Sequence, residues 1–196
     1  MVHPGVYELD PAMTVAELVR SAGGIRRTVS AILLGGYAGS WVTTAESRSL
    51  SLDRAGLGQV GASLGAGLVY LLDGDACGVA EIASVASWMS DQSAGQCGPC
   101  VNGLSALAAQ IDSLAFHPTS FGGRVDSLLE IGDLIEGRGA CRHPDGVARF
   151  VRSAHAVFAD DVASHLRHGP CHAAGAPPVL PVPSPRPART PTERSG

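Results

Sequence analysis

The sequence predicts an α+β fold: a small unit with short strands, then a bundle of four amphipathic helices, then a disordered tail. Three observations predict it. Short apolar runs bounded by glycines fill residues 1–72, and the apolar period becomes helical from about residue 77. Eight of the 13 prolines fall in residues 169–196, which have almost no large apolar side chains and which we therefore expect to be disordered.

The first unit, residues 1–72, has one clear helix signal. Thr14 and Glu17 have the spacing of a capping box, so a short helix is expected to follow and to end before Gly23-Gly24. Apolar runs predict strands at residues 6–9, 31–34 and 68–72. Glycines at 56, 58 and 61 match a dinucleotide-binding spacing, but no good strand precedes them, so we interpret them as turn residues.

Four stripes of apolar residues follow in the second unit, residues 73–168. They span residues 79–89, 104–114, 125–135 and 147–162, each with helical spacing. Short connections between amphipathic helices favour a four-helix bundle. Glu81 and His165 are expected on solvated faces of these helices, and Trp41 of the first unit is expected in a core or interface.

Composition excludes some classes of partner. The formal net charge of -4 argues against nucleic acid, and no apolar run approaches the ~18 residues that a membrane-inserted helix needs. The N-terminal residues do not resemble a secretory signal, so a cytoplasmic protein is expected. In that compartment the five cysteines are expected to be metal ligands or free thiols, with Cys171 free in the tail.

Cys97-Gly98-Pro99-Cys100 is the sharpest local motif, because two intervening residues let both sulfurs reach one metal or cluster. A redox dithiol is the alternative, but that chemistry usually has a βαβ setting, which this region lacks. Cys141 lies in the loop between the third and fourth predicted helices. In an antiparallel bundle this loop and the start of the second helix share one end, so the three cysteines are expected to meet.

Residues 93–103, with the sequence SAGQCGPCVNG, resemble the S-C-G-x-C-x-P-C-x-x-G motif of a known family. That family is the flavin- and NADH-binding subunit of NADH:quinone oxidoreductase, or respiratory complex I, with relatives in NAD-linked hydrogenases and formate dehydrogenases. Residues 136–141 resemble the site of its last cluster cysteine, and residues 35–41 and 61–67 resemble its β-grasp, soluble-ligand-binding module. The resemblance covers residues 4 to about 167, the C-terminal part of such a subunit.

The resemblance implies a [4Fe–4S] cluster held by Cys97, Cys100 and Cys141. It also implies a gap, because the family's first cluster cysteine falls on Ala94. His143 is a candidate replacement ligand, as are Cys77, Asp91, Ser93 and an external thiolate. A three-cysteine site with one open iron, or a [3Fe–4S] cluster, is a further alternative.

The function that follows is an electron-transfer module accessory to an NADH dehydrogenase-like flavoprotein complex. A flavin-containing subunit would donate electrons, and another iron–sulfur or carrier protein would accept them. The family's flavin and NADH domain has no counterpart in this sequence, so the chain alone is not expected to oxidise NADH. Two other hypotheses stay open: a structural Cys3His zinc module using Cys97, Cys100, Cys141 and His143, and a remnant that binds no metal.

Overall fold

The structure is a computed structural model that describes residues 1–10, 12–121 and 125–183. Its first part forms one antiparallel sheet of three strands in the order β2-β1-β3, with short helices around it. The α+β class predicted from the sequence is confirmed. The elements of this part are α1 (Val15–Ser21), β1 (Val29–Leu34), β2 (Ser40–Thr43), α2 (Thr44–Ser47), α3 (Arg54–Gln59) and β3 (Val69–Asp73).

Two capping boxes begin helices in this unit. The Thr14 hydroxyl accepts the N–H of Glu17 at 3.2 Å, and the Glu17 carboxylate accepts the N–H of Thr14 at 2.8 Å, as the spacing predicts. Thr43 and Glu46 repeat the device at the start of α2, directly after β2. The strand β2 is not predicted from the sequence, and the strand predicted at residues 6–9 is absent from the structure. The side chain of Val6 is fully exposed, and without a partner strand this run has no ladder to join.

The central strand β1 is buried on both faces, because successive side chains of a strand point to opposite sides. Ile32 and Leu34 pack in a cluster with residues of α1 and α3, whereas Ala31 and Leu33 pack with the helices of the second part. All four are at most 3 % exposed. The helices that follow therefore pack directly against the sheet.

The second part is helical. Its elements are α4 (Gly78–Asp91), a π-helical segment (Pro99–Leu104), α5 (Ser105–Phe116), α6 (Val125–Ile135), α7 (His143–Val157) and α8 (Ala159–His168). These helices follow the four predicted stripes, except that the fourth stripe is divided into α7 and α8. Among the described residues, no helix is both long and apolar enough to cross a lipid bilayer.

Phe158 marks the break between α7 and α8. Its ring stacks edge-on against Trp41 of β2, with ring centroids 5.2 Å apart. It also lies so close to Gly78 that a Cβ atom there would fall 2.3 Å from the ring. The aromatic side chain thus fills the space between the sheet, the start of α4 and the end of α7. Helical periodicity in the sequence does not predict this tertiary contact.

Residues 169–183 differ from the disordered tail that their composition predicted. A short 3-10 turn (His172–Gly175) is followed by an extended segment, and the side chain of Leu180 is only 2 % exposed. The physical reason is Glu81, which is buried rather than solvated. Its carboxylate accepts the N–H groups of Val179 and Leu180 at 2.8 and 2.9 Å. Residues 184–196 lie outside the described residues.

Candidate metal centre

A sharp turn carries the first two cysteines of the predicted site. After α4 the chain reverses at Gly95, whose φ of +62° is a conformation that favours glycine. The carbonyl of Cys97 then accepts the N–H groups of Cys100 at 3.1 Å and Val101 at 3.0 Å, which begins the π-helical segment. Pro99 suits this first turn because it has no N–H to leave unpaired.

The π-helical segment brings the cysteine turn close to the end of α6. A Cβ atom on Gly103 would lie 2.2 Å from Cγ2 of Ile135, so the two elements approach more closely than any larger residue permits. Single π-helical turns are found frequently at functional sites. The close approach places the loop that follows α6, which carries Cys141, beside the cysteine turn.

Asp145 holds the Cys141 loop in position. Its carboxylate is 5 % exposed, lies in the first turn of α7, and accepts the N–H of Gly137 at 2.8 Å. Arg142 donates to its other oxygen, also at 2.8 Å. The hydrogen bond from Arg142, and next that from Gly137, lower the pKa of Asp145 below its usual range. One buried carboxylate therefore fixes both ends of the segment that contains Cys141.

The three predicted cysteines lie on two neighbouring loops, but their sulfurs do not all lie within 4.8 Å of one another. The backbone N–H groups of Ala140, from the second loop, and of Cys100 lie near the sulfur of Cys97 and lower the pKa of its thiol. Cys100 is 4 % exposed, and burial, followed by the neighbouring Cys97 sulfur, raises the pKa of its thiol. A charge on Cys141, which is exposed, also raises the pKa of Cys100. N–H groups directed at sulfur favour the thiolate form that iron and zinc bind.

His143 is engaged elsewhere in the structure. Its Nε2 lies 2.8 Å from the carbonyl oxygen of Met89 and must donate to it, which ties the start of α7 to α4. Only Nδ1 is then free to bind a metal. Ala94 and Asp91 are exposed and Ser93 is half-buried. Position 94 itself offers only a methyl group.

The donor set fits an iron–sulfur cluster. Soft thiolate ligands select iron–sulfur clusters and zinc over hard cations, and backbone N–H groups around the sulfurs are the usual second layer of a cluster site. The site lies at the surface end of the bundle, where Cys141 is exposed and Cys100 is buried. The three residues that would hold the group therefore come from two separate loops.

A second cysteine group lies at the other end of α4. Among the described residues, the group whose potential ligand atoms all lie within 4.8 Å of one another consists of Cys77, His165 and Cys171. Cys77, a candidate replacement ligand for the cluster, lies beside His165 and Cys171. His165, expected at the surface, is 2 % exposed. The sequence offered no signal for this group because its members lie far apart along the chain.

Residues 80–165 match the model of a family described as the NADH-ubiquinone oxidoreductase-F iron-sulfur binding region. The matched segment contains Cys97, Cys100 and Cys141. This part of the chain is similar to the iron–sulfur-binding region of F-type subunits.

The relatives extend the likeness to most of the chain. The NADH-quinone oxidoreductase F subunit of Mycobacterium tuberculosis (strain ATCC 25618 / H37Rv) is 30 % identical over 172 residues, which cover 87 % of this chain and 38 % of the relative. The protein of the same name in Streptomyces coelicolor is 26 % identical over 170 residues, 86 % of this chain and 37 % of the relative. The chain is thus homologous to part of the F subunit, which confirms the resemblance predicted from the motifs, and spans well under half of these relatives.

A solved structure shares the fold. The crystal structure of an NAD+-reducing [NiFe]-hydrogenase in the air-oxidized state superposes with a TM-score of 0.71 at 22 % sequence identity. The superposition covers 83 % of this chain and 28 % of the hydrogenase chain. The likeness supports the arrangement of sheet unit and helices described above.

Proposed function

We propose that this chain binds an iron–sulfur cluster through Cys97, Cys100 and Cys141 and passes single electrons through it. The observation that supports the proposal is that Cys97, Cys100 and Cys141 lie on two neighbouring loops, with the backbone N–H of Ala140 near enough to the Cys97 sulfur to lower its pKa. The match of residues 80–165 to an iron–sulfur binding region supports it independently.

The chain's own residues would set the properties of the site. A bound cluster supplies a one-electron couple whose potential depends on hydrogen bonds to its sulfurs and on solvent exposure. The N–H groups of Ala140 and Cys100 would stabilise negative charge on Cys97. Cys100 excludes water on the inner side, and the exposed Cys141 marks the side from which a partner could approach.

Three-cysteine ligation is the form we propose, because Ala94 has no donor and the Nε2 of His143 is bonded to Met89. The cluster would then be a [4Fe–4S] type with one iron open to water or an external ligand, and loss of that iron would leave a [3Fe–4S] form. Such an open position makes the cluster labile to oxygen.

The partners we propose are a flavin-containing subunit as electron donor and an iron–sulfur or carrier protein as acceptor. The relatives, an NADH-quinone oxidoreductase subunit and an NAD+-reducing hydrogenase, support a complex of this kind. Because this chain spans 38 % of its mycobacterial relative, NADH oxidation would depend on another polypeptide or segment.

The test is a visible spectrum with iron and acid-labile sulfide assays on anaerobically purified chain. We expect a brown protein whose broad absorption is bleached by dithionite, with iron and sulfide in matching amounts. Cys97→Ser and Cys141→Ser should lose the colour, whereas Cys171→Ser, at an equally exposed cysteine, should retain it. A colourless protein after anaerobic cluster reconstitution would refute the proposal.

Zinc at the same residues is a separate outcome of that experiment. A colourless protein whose zinc is lost on both Cys141→Ser and His143→Ala would establish the Cys3His module instead. That result requires His143 to use Nδ1 or to give up its bond to Met89.

A further inference from the structure

Cys77, His165 and Cys171 form a compact group remote from the candidate cluster site. Cys77 is the residue that caps the start of α4, whereas the cysteine turn follows the end of that 14-residue helix. His165 lies on α8, and Cys171 comes directly after α8. The sulfur of Cys77 is 3.5 Å from Nε2 of His165, and the three potential ligand atoms lie within 4.8 Å of one another.

Local contacts already orient two of the three ligand atoms. The sulfur of Cys77 accepts the N–H of Ala80 at 3.4 Å, as the cap of α4, which holds it at the start of the helix. Nε2 of His165 accepts the backbone N–H of Cys171 at 3.3 Å. In the neutral ring the proton must then be on Nδ1, so the lone pair is on the nitrogen that faces the sulfurs.

His165 is the member of the group that needs an explanation. It is 2 % exposed, and its Nδ1 has no hydrogen-bond partner within the part of the chain that the structure describes. A buried histidine with one unpaired nitrogen carries a desolvation cost that an ordinary core residue at this position would avoid. Metal binding at Nε2 needs the same tautomer that the Cys171 N–H selects, and the metal would replace that N–H as the partner of the Nε2 lone pair.

We infer that Cys77, Cys171 and Nε2 of His165 form a second metal site, which binds a soft divalent cation of the zinc class. Asp161 is the fourth ligand we propose, although its carboxylate lies outside the compact group of the other three and would have to move toward them. It precedes His165 by one turn on α8, so both side chains lie on one face of the helix. It also lines the same cavity, of about 350 Å³, as the other three residues. Two thiolates, one imidazole and one carboxylate are a donor set that tetrahedral zinc accepts.

Metal binding at this site would release protons. In the metal-free protein burial raises the pKa of the Cys77 thiol to about 12, so this sulfur carries its proton at neutral pH. Zinc binding displaces the protons of the Cys77 and Cys171 thiols, releases them to solvent and leaves two thiolates on the ion. Affinity should therefore increase with pH.

The site would fasten the C-terminal segment to the bundle. Cys171 is the ligand nearest the start of residues 169–183, and Glu81 holds the far part of the same segment through Val179 and Leu180. Tyr70 and Tyr37 donate to the carbonyls of Val179 and Pro181, each at 3.0 Å. A metal at Cys171 would add a further attachment near the start of the segment.

The test is titration of the full-length reduced chain with Co²⁺ and Zn²⁺, comparing Cys171→Ser with Cys141→Ser. Both substitutions replace an exposed cysteine, but only the first removes a ligand of this site. For Cys141→Ser we expect one equivalent of Co²⁺ with tetrahedral visible bands and sulfur-to-cobalt charge transfer, displaced by Zn²⁺. For Cys171→Ser, affinity should fall by more than the about 10–100-fold typical of losing an outer-sphere partner.

Asp161→Asn and circular dichroism keep the result interpretable. Asp161 is exposed, so its substitution should leave the fold intact while it weakens Co²⁺ binding and alters the visible bands. Equal Co²⁺ affinity in Cys171→Ser and Cys141→Ser would overturn the inference. So would octahedral cobalt spectra, or a Cys77–Cys171 disulfide in the purified chain that prevents zinc uptake under non-reducing conditions. None of these outcomes depends on whether the iron–sulfur cluster is present.

Discussion

Ala94 places a methyl group where the related family has a cluster cysteine. The residue is exposed, next to Gly95 with its positive φ, and its carbonyl accepts the side-chain amide of Gln96 at 3.0 Å. No structural feature of the turn, within the described residues, excludes a thiol at this position. Position 94 therefore has room for a longer side chain.

Ala94→Cys should convert three-cysteine ligation to four. Because the open iron would gain a thiolate, we expect the variant to hold four irons per cluster through air exposure, when the parent chain loses iron. Iron and sulfide assays over a time course of air exposure measure the iron that each protein retains. Electron paramagnetic resonance detects the [3Fe–4S] form. Gln96→Cys is the matched control, since it adds a thiol two residues away. Identical iron loss in all three proteins would contradict three-cysteine ligation.

Asp145 is the positioning residue of the Cys141 loop. Removing its carboxylate in Asp145→Ala leaves the Gly137 N–H unpaired, which costs about 1–3 kcal/mol of unfolding free energy. The mostly exposed Arg142 adds little, because water screens its charge. The pKa of Asp145 is lowered in the folded chain, so its stabilisation is present above the unfolded value of about 3.9 and is lost as pH falls through the folded value.

Urea unfolding of Asp145→Ala at neutral pH and near pH ~3 tests this. The difference from the parent chain should be present at neutral pH and should shrink on acidification. Asp133→Asn, at an exposed carboxylate paired with Arg152, is the control and should change stability by less than about 0.5 kcal/mol. If Asp145→Ala lowers the free energy of unfolding by the same amount at both pH values, ionisation of Asp145 does not contribute to stability.

At the scale of elements, the π-helical segment is the feature that joins the two cysteine loops. It ends where α5 begins, and its Gly103 lies against Ile135 at the end of α6. A regular α-helix with a larger residue at position 103 would push α6, and the Cys141 loop after it, away from the cysteine turn. Helical periodicity predicted the helix but not this local widening.

Gly103→Ala should therefore destabilise the fold by about 1–3 kcal/mol, since the new Cβ would lie 2.2 Å from Ile135 Cγ2. It should also lower cluster content by separating the loops. Gly98→Ala is the control: Gly98 has α-helical angles and open space around its Cα, so stability should be unchanged or higher by up to about 1 kcal/mol. Thermal unfolding and iron content measure both. Equal effects of the two substitutions would mean that the close approach is not required.

At the scale of the whole molecule, a sheet unit, a helical bundle and a C-terminal segment share buried contacts. β1 contributes to the clusters on both of its faces, and Glu81 at the start of α4 binds residues 99 positions further along the chain. The C-terminal segment is ordered by these contacts and not by its own composition.

Glu81→Gln should loosen that segment. A Gln side chain can accept one N–H but presents its amide group to the other, so we expect a loss of about 1–3 kcal/mol and faster proteolysis within residues 169–183. Thermal unfolding and limited proteolysis measure the two effects. Glu130→Gln, on the exposed face of α6, should leave both unchanged. Proteolysis at the parent rate in Glu81→Gln would show that Glu81 does not hold the segment.

Local patterns in the sequence determined much of the fold and the core of the candidate site. The Thr14 capping box, the central strand, the apolar stripes and the cysteine motif each depend on residues close in the chain, so spacing alone predicted them. The positions of the two loops in an antiparallel bundle predicted that the three cysteines would lie near one another. Their role as ligands stays a prediction.

Only the tertiary structure decided the rest. The break at Phe158, the buried state of Glu81 and His165, the anchoring of Cys141 by Asp145, and the group around Cys77 all depend on contacts between distant segments. In each case a polar or aromatic side chain gains a partner that no local pattern specifies. A charged residue on a helix has the same sequence signature whether it faces water or a chain segment that returns to it, and burial distinguishes the two only after folding.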